Sequence, residues 1–112
     1  MITVVGRINV PVGGTPVQVT AGFAALGIQL STCHAALLQA LHDNTGRIYI
    51  GLSTLNRTTR ANCAAVLAAP SGAAIPSFGI SNPLSPAGVD LAALYLDADT
   101  NGEGILLTML VT

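Results

Sequence analysis

The segment that most constrains the fold runs from Leu94 to Val111 and reads LYLDADTNGEGILLTMLV. At its centre, Asn101 and Gly102 form the dipeptide that is the strongest short signal for a type I′ β-hairpin loop. With a two-residue loop at that point, alternate side chains of the two flanking strands share one face. That face is wholly apolar and consists of Leu94, Leu96, Ala98, Ile105, Leu107, Met109 and Val111.

The other parity of the segment is mostly polar, although two leucines belong to it. Its members are Tyr95, Asp97, Asp99, Gly104, Leu106, Thr108 and Leu110. A single register therefore separates a buried face from a mixed face, as a half-buried antiparallel hairpin requires. The segment predicts an antiparallel β fold with Asn101 and Gly102 as a structural turn.

A calcium loop is the alternative reading of the same residues. Asp97, Asp99, Asn101 and Gly102 occupy positions one, three, five and six of the helix-flanked calcium loop. That loop needs a bidentate carboxylate at position twelve, where this chain has Thr108, and the flanking sequence favours a strand over a helix. We therefore predict no metal and no cofactor. A weaker ion site on Asp97, Asp99 and Glu103 remains the alternative.

Strand signals recur through the first half of the chain. ITVVGRINVPV and VQVTAGF, separated by glycines and a proline, predict a strand, a turn and a second strand. CHAALLQALH, residues 33–42, is predicted to be the hairpin partner of RIYIGLSTL, with a helix as the alternative. Asn44 and Gly46 lie between these two segments. They are predicted to take left-handed conformations in the hairpin loop.

The middle of the chain is rich in proline and glycine, with Pro70, Pro76, Pro83 and Pro86 among its residues. Long regular elements are excluded there, whereas short edge strands such as AAVLAA and SFGIS are compatible with it. The predicted architecture is all-β. We expect an antiparallel β-sandwich or jelly-roll-like single domain over residues 1–112, with an irregular Pro/Gly-rich middle.

Composition narrows the classes of partner. Hydrophobic residues make up 51% of the chain and charged residues only 8%, against about 25% in typical soluble domains. Such a surface is usually covered by a partner, so a stable monomer is not expected. A net charge of -1 argues against nucleic-acid binding, which needs clustered basic residues. No targeting segment and no apolar run of membrane-spanning length is recognisable.

No catalytic constellation emerges, and the chain is predicted not to be an enzyme. Cys33 and His34 are sequence neighbours, which point to opposite faces of a strand and cannot easily act together. Cys33 and Cys63 are interpreted as small apolar residues, with a disulfide left open. Arg57 and Arg60 form the only basic cluster, interpreted as a solvated loop or a set of partner contacts.

The order of these features resembles that in a known family of proteins. LQALHDNTGRIYIG, an Ala/Gly/Pro-rich middle and the C-terminal LYLDADTNGEGILLTMLV are similar to segments of small structural proteins of tailed bacteriophage virions, of the capsid decoration or cement type. The resemblance covers residues 33–112 and rests on turn and strand signals.

The resemblance implies a β-sandwich or jelly roll that binds the major capsid protein on the outer capsid surface, often as a homotrimer. Similar patterns also occur in neck, tail and fibre-base components of virions. A non-enzymatic part of one of those structures is therefore the alternative function.

Overall fold

A computed structural model describes residues 2–21, 23, 32–71, 74–81 and 89–110 of the chain. Within these residues the fold is all-β, as predicted, apart from a 3-10 turn at Leu91–Ala93. The strands, in chain order, are β1 (Ile2–Asn9), β2 (Val17–Gln18), β3 (Thr32–Cys33), β4 (Ala35–Ala40), β5 (Ile48–Gly51), β6 (Cys63–Leu67), β7 (Ser77–Ser81), β8 (Val89–Asp90), β9 (Tyr95–Ala98) and β10 (Gly104–Leu110).

Eight of these strands form two packed antiparallel sheets. Sheet I has the order β1-β10-β4-β7, and sheet II has the order β2-β9-β5-β6. The strands β3 and β8 form a separate two-stranded pair. Leaving out that pair, the first strand pairs with the eighth, the second with the seventh, the third with the sixth and the fourth with the fifth. This is a long antiparallel hairpin rolled into a sandwich, the topology of a jelly roll.

The predicted hairpin between β9 and β10 is wrong, because the two strands lie in different sheets. The turn at Asn101 and Gly102 instead carries the chain across the sandwich, and the Gly102 amide donates to the Val10 carbonyl at 2.8 Å. Gly102 has a φ of +82°, whereas Asn101 is not left-handed. A type I′ loop needs positive φ at both residues, so the turn has another type.

The predicted apolar face is nevertheless correct for every residue that the structure describes. Its members from Leu94 to Met109 are buried, while Val111 lies outside the described residues. The β9 and β10 side chains meet across the interior of the sandwich instead of side by side in one sheet. Alternation fixes which side chains are buried together, and facing strands satisfy that demand as well as paired strands do.

The second predicted hairpin is wrong for the same reason. Residues 35–40 form a strand and not a helix, but β4 lies in sheet I and β5 in sheet II. Neither Asn44 nor Gly46 is left-handed in the connection between them. Asn44 is buried, and its side-chain Nδ2 donates to the Gly104 carbonyl at 2.9 Å. This connection is therefore held by contacts with the far end of the chain.

The sheet edges agree with the sequence predictions more closely than the two hairpins do. The predicted short edge strands are confirmed as β6 and β7, one at the edge of each sheet. The first predicted strand is β1, with a bulge between Val4 and Gly6 where Gly6 takes a φ of +104°. The second is reduced to the two residues of β2. No helix in the described residues is long and apolar enough to span a membrane.

Candidate functional site

Three carboxylates lie around the crossing from β9 to β10, and each has its own protein partners. Asp97 is buried, and its Oδ1 accepts from the amides of Gly14 and Ala98, both at 2.8 Å. Asp99 accepts the Tyr49 hydroxyl at 3.0 Å. These contacts hold the two aspartates on the β9 side of the crossing.

Glu103 serves a different loop. Its carboxylate accepts the amide of Thr45 at 2.6 Å, the hydroxyl of Thr45 at 3.0 Å and the amide of Gly46 at 2.9 Å. No group of three His, Cys, Asp or Glu residues within the described ranges is arranged to hold a metal ion. Asp97, Asp99 and Glu103, the residues of the alternative ion site, each accept hydrogen bonds from protein donors. The absence of a metal there stays a prediction.

Arg57 lies against the same crossing. Its Nη1 donates to the Ala98 carbonyl at 2.7 Å and lies 3.9 Å from Asp99 Oδ1. A polar cleft of about 220 Å³ opens beside it, lined by Gly14, Leu55, Asn56, Arg57, Thr58 and Asp97. The loop that carries Arg57 is largely exposed, but the Arg57 side chain itself is only one-third exposed because it lies against the crossing.

Arg60 covers a neighbouring part of the outer face of sheet II. Its guanidinium carbon lies 4.7 Å from the centroid of the Tyr49 ring, within the range of a cation–π contact. Tyr49 projects from the outer face of β5 yet is only 2% exposed, with the Arg60 guanidinium over its ring and its hydroxyl on Asp99. Part of the outer face of sheet II is thus covered by the chain itself. A role for Arg57 and Arg60 as partner contacts stays a prediction.

Arg57→Ala is expected to destabilise the fold by about 1–2 kcal/mol, because it removes a charge-assisted hydrogen bond to a half-buried carbonyl. Urea unfolding of the purified variant measures this. Arg47→Ala makes the same change of charge at an exposed position and should remain within about 0.5 kcal/mol of the parent. Equal effects of the two substitutions would show that the Ala98 contact contributes nothing.

The two cysteines are free thiols in different environments. Cys33 is 4% exposed, and burial raises the pKa of its thiol, with a backbone hydrogen bond involving Ala35 acting in the opposite direction. Cys63 lies half-buried on β6, with its Sγ 3.3 Å from the Ala65 carbonyl oxygen. The disulfide alternative is not realised, and the interpretation as a buried apolar residue holds for Cys33 alone.

Cys33 is expected to resist alkylation by iodoacetamide at pH 8 in the folded protein. The raised pKa leaves little thiolate, and the core blocks access. A Cys63→Ser variant isolates the Cys33 thiol, and mass spectrometry follows its modification. The pKa is higher in the folded than in the unfolded chain. The thiol therefore adds stability below the unfolded pKa, and that stability is lost as pH rises through the folded one. Rapid labelling of native Cys63→Ser would contradict this assignment.

The outer face of sheet I differs from that of sheet II. Leu37, Leu106 and Leu110 project from β4 and β10 with exposures of 42–44%. Their neighbours across the sheet are small, polar or charged: Thr108 lies opposite Leu37, Ala35 opposite Leu110, and Arg7 opposite Leu106. A shallow apolar depression of about 250 Å³ lies among Ala35, Ala36, Leu37, Thr108, Met109 and Leu110.

The sequence pattern places Leu106 and Leu110 on the mixed parity of the segment and does not by itself mark them as a site. The available signal was the presence of two leucines on a face that otherwise carries polar residues and glycine. Their significance depends on β4, which adds Leu37 to the same surface by pairing with β10. We call this surface, formed by Leu37, Leu106 and Leu110, the sheet I apolar face.

Comparison with known proteins identifies no relative: no protein-family model, curated protein or solved structure matches this chain.

Proposed function

We propose that this chain is a non-enzymatic structural protein of a tailed-bacteriophage virion, which binds the outer surface of the capsid as a decoration or cement protein. The observation that carries the proposal is the sheet I apolar face. Three exposed leucines on two adjacent central strands form a surface that association with a partner would remove from water. The partner we propose is the major capsid protein.

The charge distribution supports a contact of this kind. In a chain with four Lys and Arg residues and five Asp and Glu residues, Arg57 and Asp99 already lie at the covered sheet II crossing. On sheet I, Arg7 forms an exposed pair with Asp43 at 3.6 Å, at the β1 side of the sheet. Arg7 lies opposite Leu106 in the β1–β10 register, so one charged pair borders the leucines on the β1 side. An apolar centre with a polar rim is the usual arrangement of a protein interface.

The mechanism is mechanical. Each fully buried leucine side chain contributes about 1.5–3 kcal/mol of hydrophobic free energy. Contacts repeated over a symmetric shell add to one another, because attachment at one point raises the effective concentration at the next. A protein that bridges neighbouring capsid subunits therefore raises the free energy needed to separate them. The jelly roll itself does not decide function, since the same fold also serves lectins and cupins.

The test uses two variants that place the same charge at equally exposed positions of opposite sheets. Leu106→Glu changes the sheet I apolar face, and Val66→Glu changes β6 of sheet II, with parental exposures of 43% and 41%. Shells assembled from the major capsid protein of the same genome are incubated with each variant and pelleted. We expect Val66→Glu to sediment with the shells as the parent does, and Leu106→Glu to remain in the supernatant.

Other outcomes contradict the proposal. If the parent chain does not sediment with shells, or if its genome encodes no capsid protein, the function is wrong. If both variants bind as the parent does, the contact surface is wrong. Electron cryomicroscopy of complete particles distinguishes the alternative, because density at the neck, tail or fibre base would assign the chain to one of those structures.

A further inference from the structure

The strand β7 has one edge that no strand of the described residues pairs with. It pairs only with β4 among the described strands, and the Ala40 amide donates to the Pro76 carbonyl at 2.9 Å. Hydrogen-bonding directions alternate along an antiparallel strand, so every second residue bonds to β4. The backbone N–H and C=O groups of Ser77, Gly79 and Ser81 therefore point away from β4, and all three residues are exposed.

The other sheet edges carry features that hinder pairing, and β7 does not. The edge strand β1 has a bulge at Gly6 followed by the charged Arg7. The edge strand β2 has only two residues, and β6 has a register shift opposite Gly51. The β7 sequence SFGIS has no charge, no bulge and no internal proline. Natural edge strands usually carry at least one such obstacle, so an edge that lacks them is suited to pairing.

We propose that β7 pairs antiparallel with β7 of a second copy of this chain, with Gly79 opposite Gly79. The free groups are spaced symmetrically about Gly79, so a two-fold axis midway between the two Gly79 residues places Ser77 of each copy opposite Ser81 of the other. All three resulting pairs are of the hydrogen-bonded type, in which two residues exchange both N–H···O bonds. Sheet I of one copy and sheet I of the other then form one continuous eight-stranded sheet.

Side chains on both faces of β7 suit this register. Phe78 and Ile80 face the interior and are only half-buried, because they lie at the open end of the core. The register places Phe78 of each copy opposite Ile80 of the other in a closely spaced pair, a favourable aromatic and β-branched combination. On the outer face only small side chains meet, and a Cβ at Gly79 would contact nothing within 4 Å.

The pairing places the two sheet I apolar faces on one side of the dimer. A two-fold axis perpendicular to the shared sheet leaves both sheet I apolar faces on the same side, so one dimer presents two of them. An isologous edge pair closes at two copies, and this differs from the trimer that the family resemblance implies. Dimerisation of the purified chain does not depend on the proposed capsid function, and the two are tested separately.

The test measures dimerisation of the parent, Gly79→Pro and Gly79→Ala by sedimentation equilibrium. Protein concentrations of roughly 1 to 100 μM cover the dissociation of a dimer of about micromolar affinity. Proline removes only an outward N–H and is tolerated on an edge strand, so the β4 ladder is retained. Alanine keeps that N–H. We expect a dimer of the 11.3 kDa chain for the parent and Gly79→Ala, and a dissociation constant raised at least about tenfold for Gly79→Pro.

A second variant protects the test against misfolding of Gly79→Pro. Gly79→Cys in the Cys63→Ser background places one thiol of each copy on either side of the two-fold axis, on the same outer face. A short bis-maleimide, which bridges a wider gap than a disulfide, should link the two thiols into a covalent dimer. The proposal is overturned if the parent remains monomeric at about 100 μM or forms a trimer. It is also overturned if folded Gly79→Pro dimerises as the parent does, or if Gly79→Cys fails to cross-link. Shell binding by monomeric Gly79→Pro, measured in the pelleting assay, reports on the capsid function alone.

Discussion

Gly104→Ala is expected to destabilise the protein by at least about 3 kcal/mol, the upper end of the usual cost of overpacking. Gly104 opens β10 and pairs with Asn9 of β1. A Cβ at this position would overlap the Ile8 carbonyl oxygen and lie 2.8 Å from the Asn9 Cα, both of which are backbone atoms. Backbone cannot rotate away as a side-chain end can, so the first pair of strands in the jelly roll has to separate.

The matched control is Gly79→Ala, since the added methyl there meets open space. It should change the free energy of unfolding by no more than about 0.5 kcal/mol. Thermal unfolding followed by circular dichroism measures both variants, and a 3 kcal/mol loss corresponds to a fall in Tm of roughly 12–24 °C in a domain of this size. If Gly104→Ala melts with the parent, β1 and β10 do not approach as closely as described.

How far the sequence predicted this fold is clearest at Asn101 and Gly102. The alternation of LYLDA and ILLTM correctly assigned the apolar side chains of the core, because that pattern depends only on strand geometry. It did not predict that Asp97 on the other parity is buried as well. The partner of each strand was wrong. A tight hairpin and a crossing between sheets both bury the same side chains together, and local alternation cannot distinguish them. The decisive contacts are distant, such as the Glu103 carboxylate with the amides of Thr45 and Gly46.

The candidate site shows the same limit. The sequence identified Arg57 and Arg60 as the only basic cluster, but their contacts lie on β9 and β5. The acidic residues Asp97 and Asp99 look like metal ligands in the sequence because carboxylates at that spacing bind either ions or protein donors. The donors here are backbone amides for Asp97 and the Tyr49 hydroxyl for Asp99. Only the folded arrangement shows which of these partners is present.

Leu107→Ala is expected to cost about 3–5 kcal/mol, the range for a leucine deleted from a close-packed core. Leu107 is fully buried on the central strand β10, where it faces sheet II across the sandwich. Its neighbour Leu106 points the opposite way with 43% of its surface exposed. Leu106→Ala is therefore the matched control, because it removes the same atoms one residue away on the same strand.

Leu106→Ala should leave the free energy of unfolding within about 0.5 kcal/mol of the parent. It should weaken shell binding at least about tenfold, because it removes one anchor of the sheet I apolar face. Urea unfolding and shell pelleting on the same two variants separate the roles of the two side chains. Equal loss of stability in both variants would show that the register of β10 is wrong. Parental stability with parental shell binding in Leu106→Ala would show that β10 is correctly placed but that the capsid contact lies on another surface.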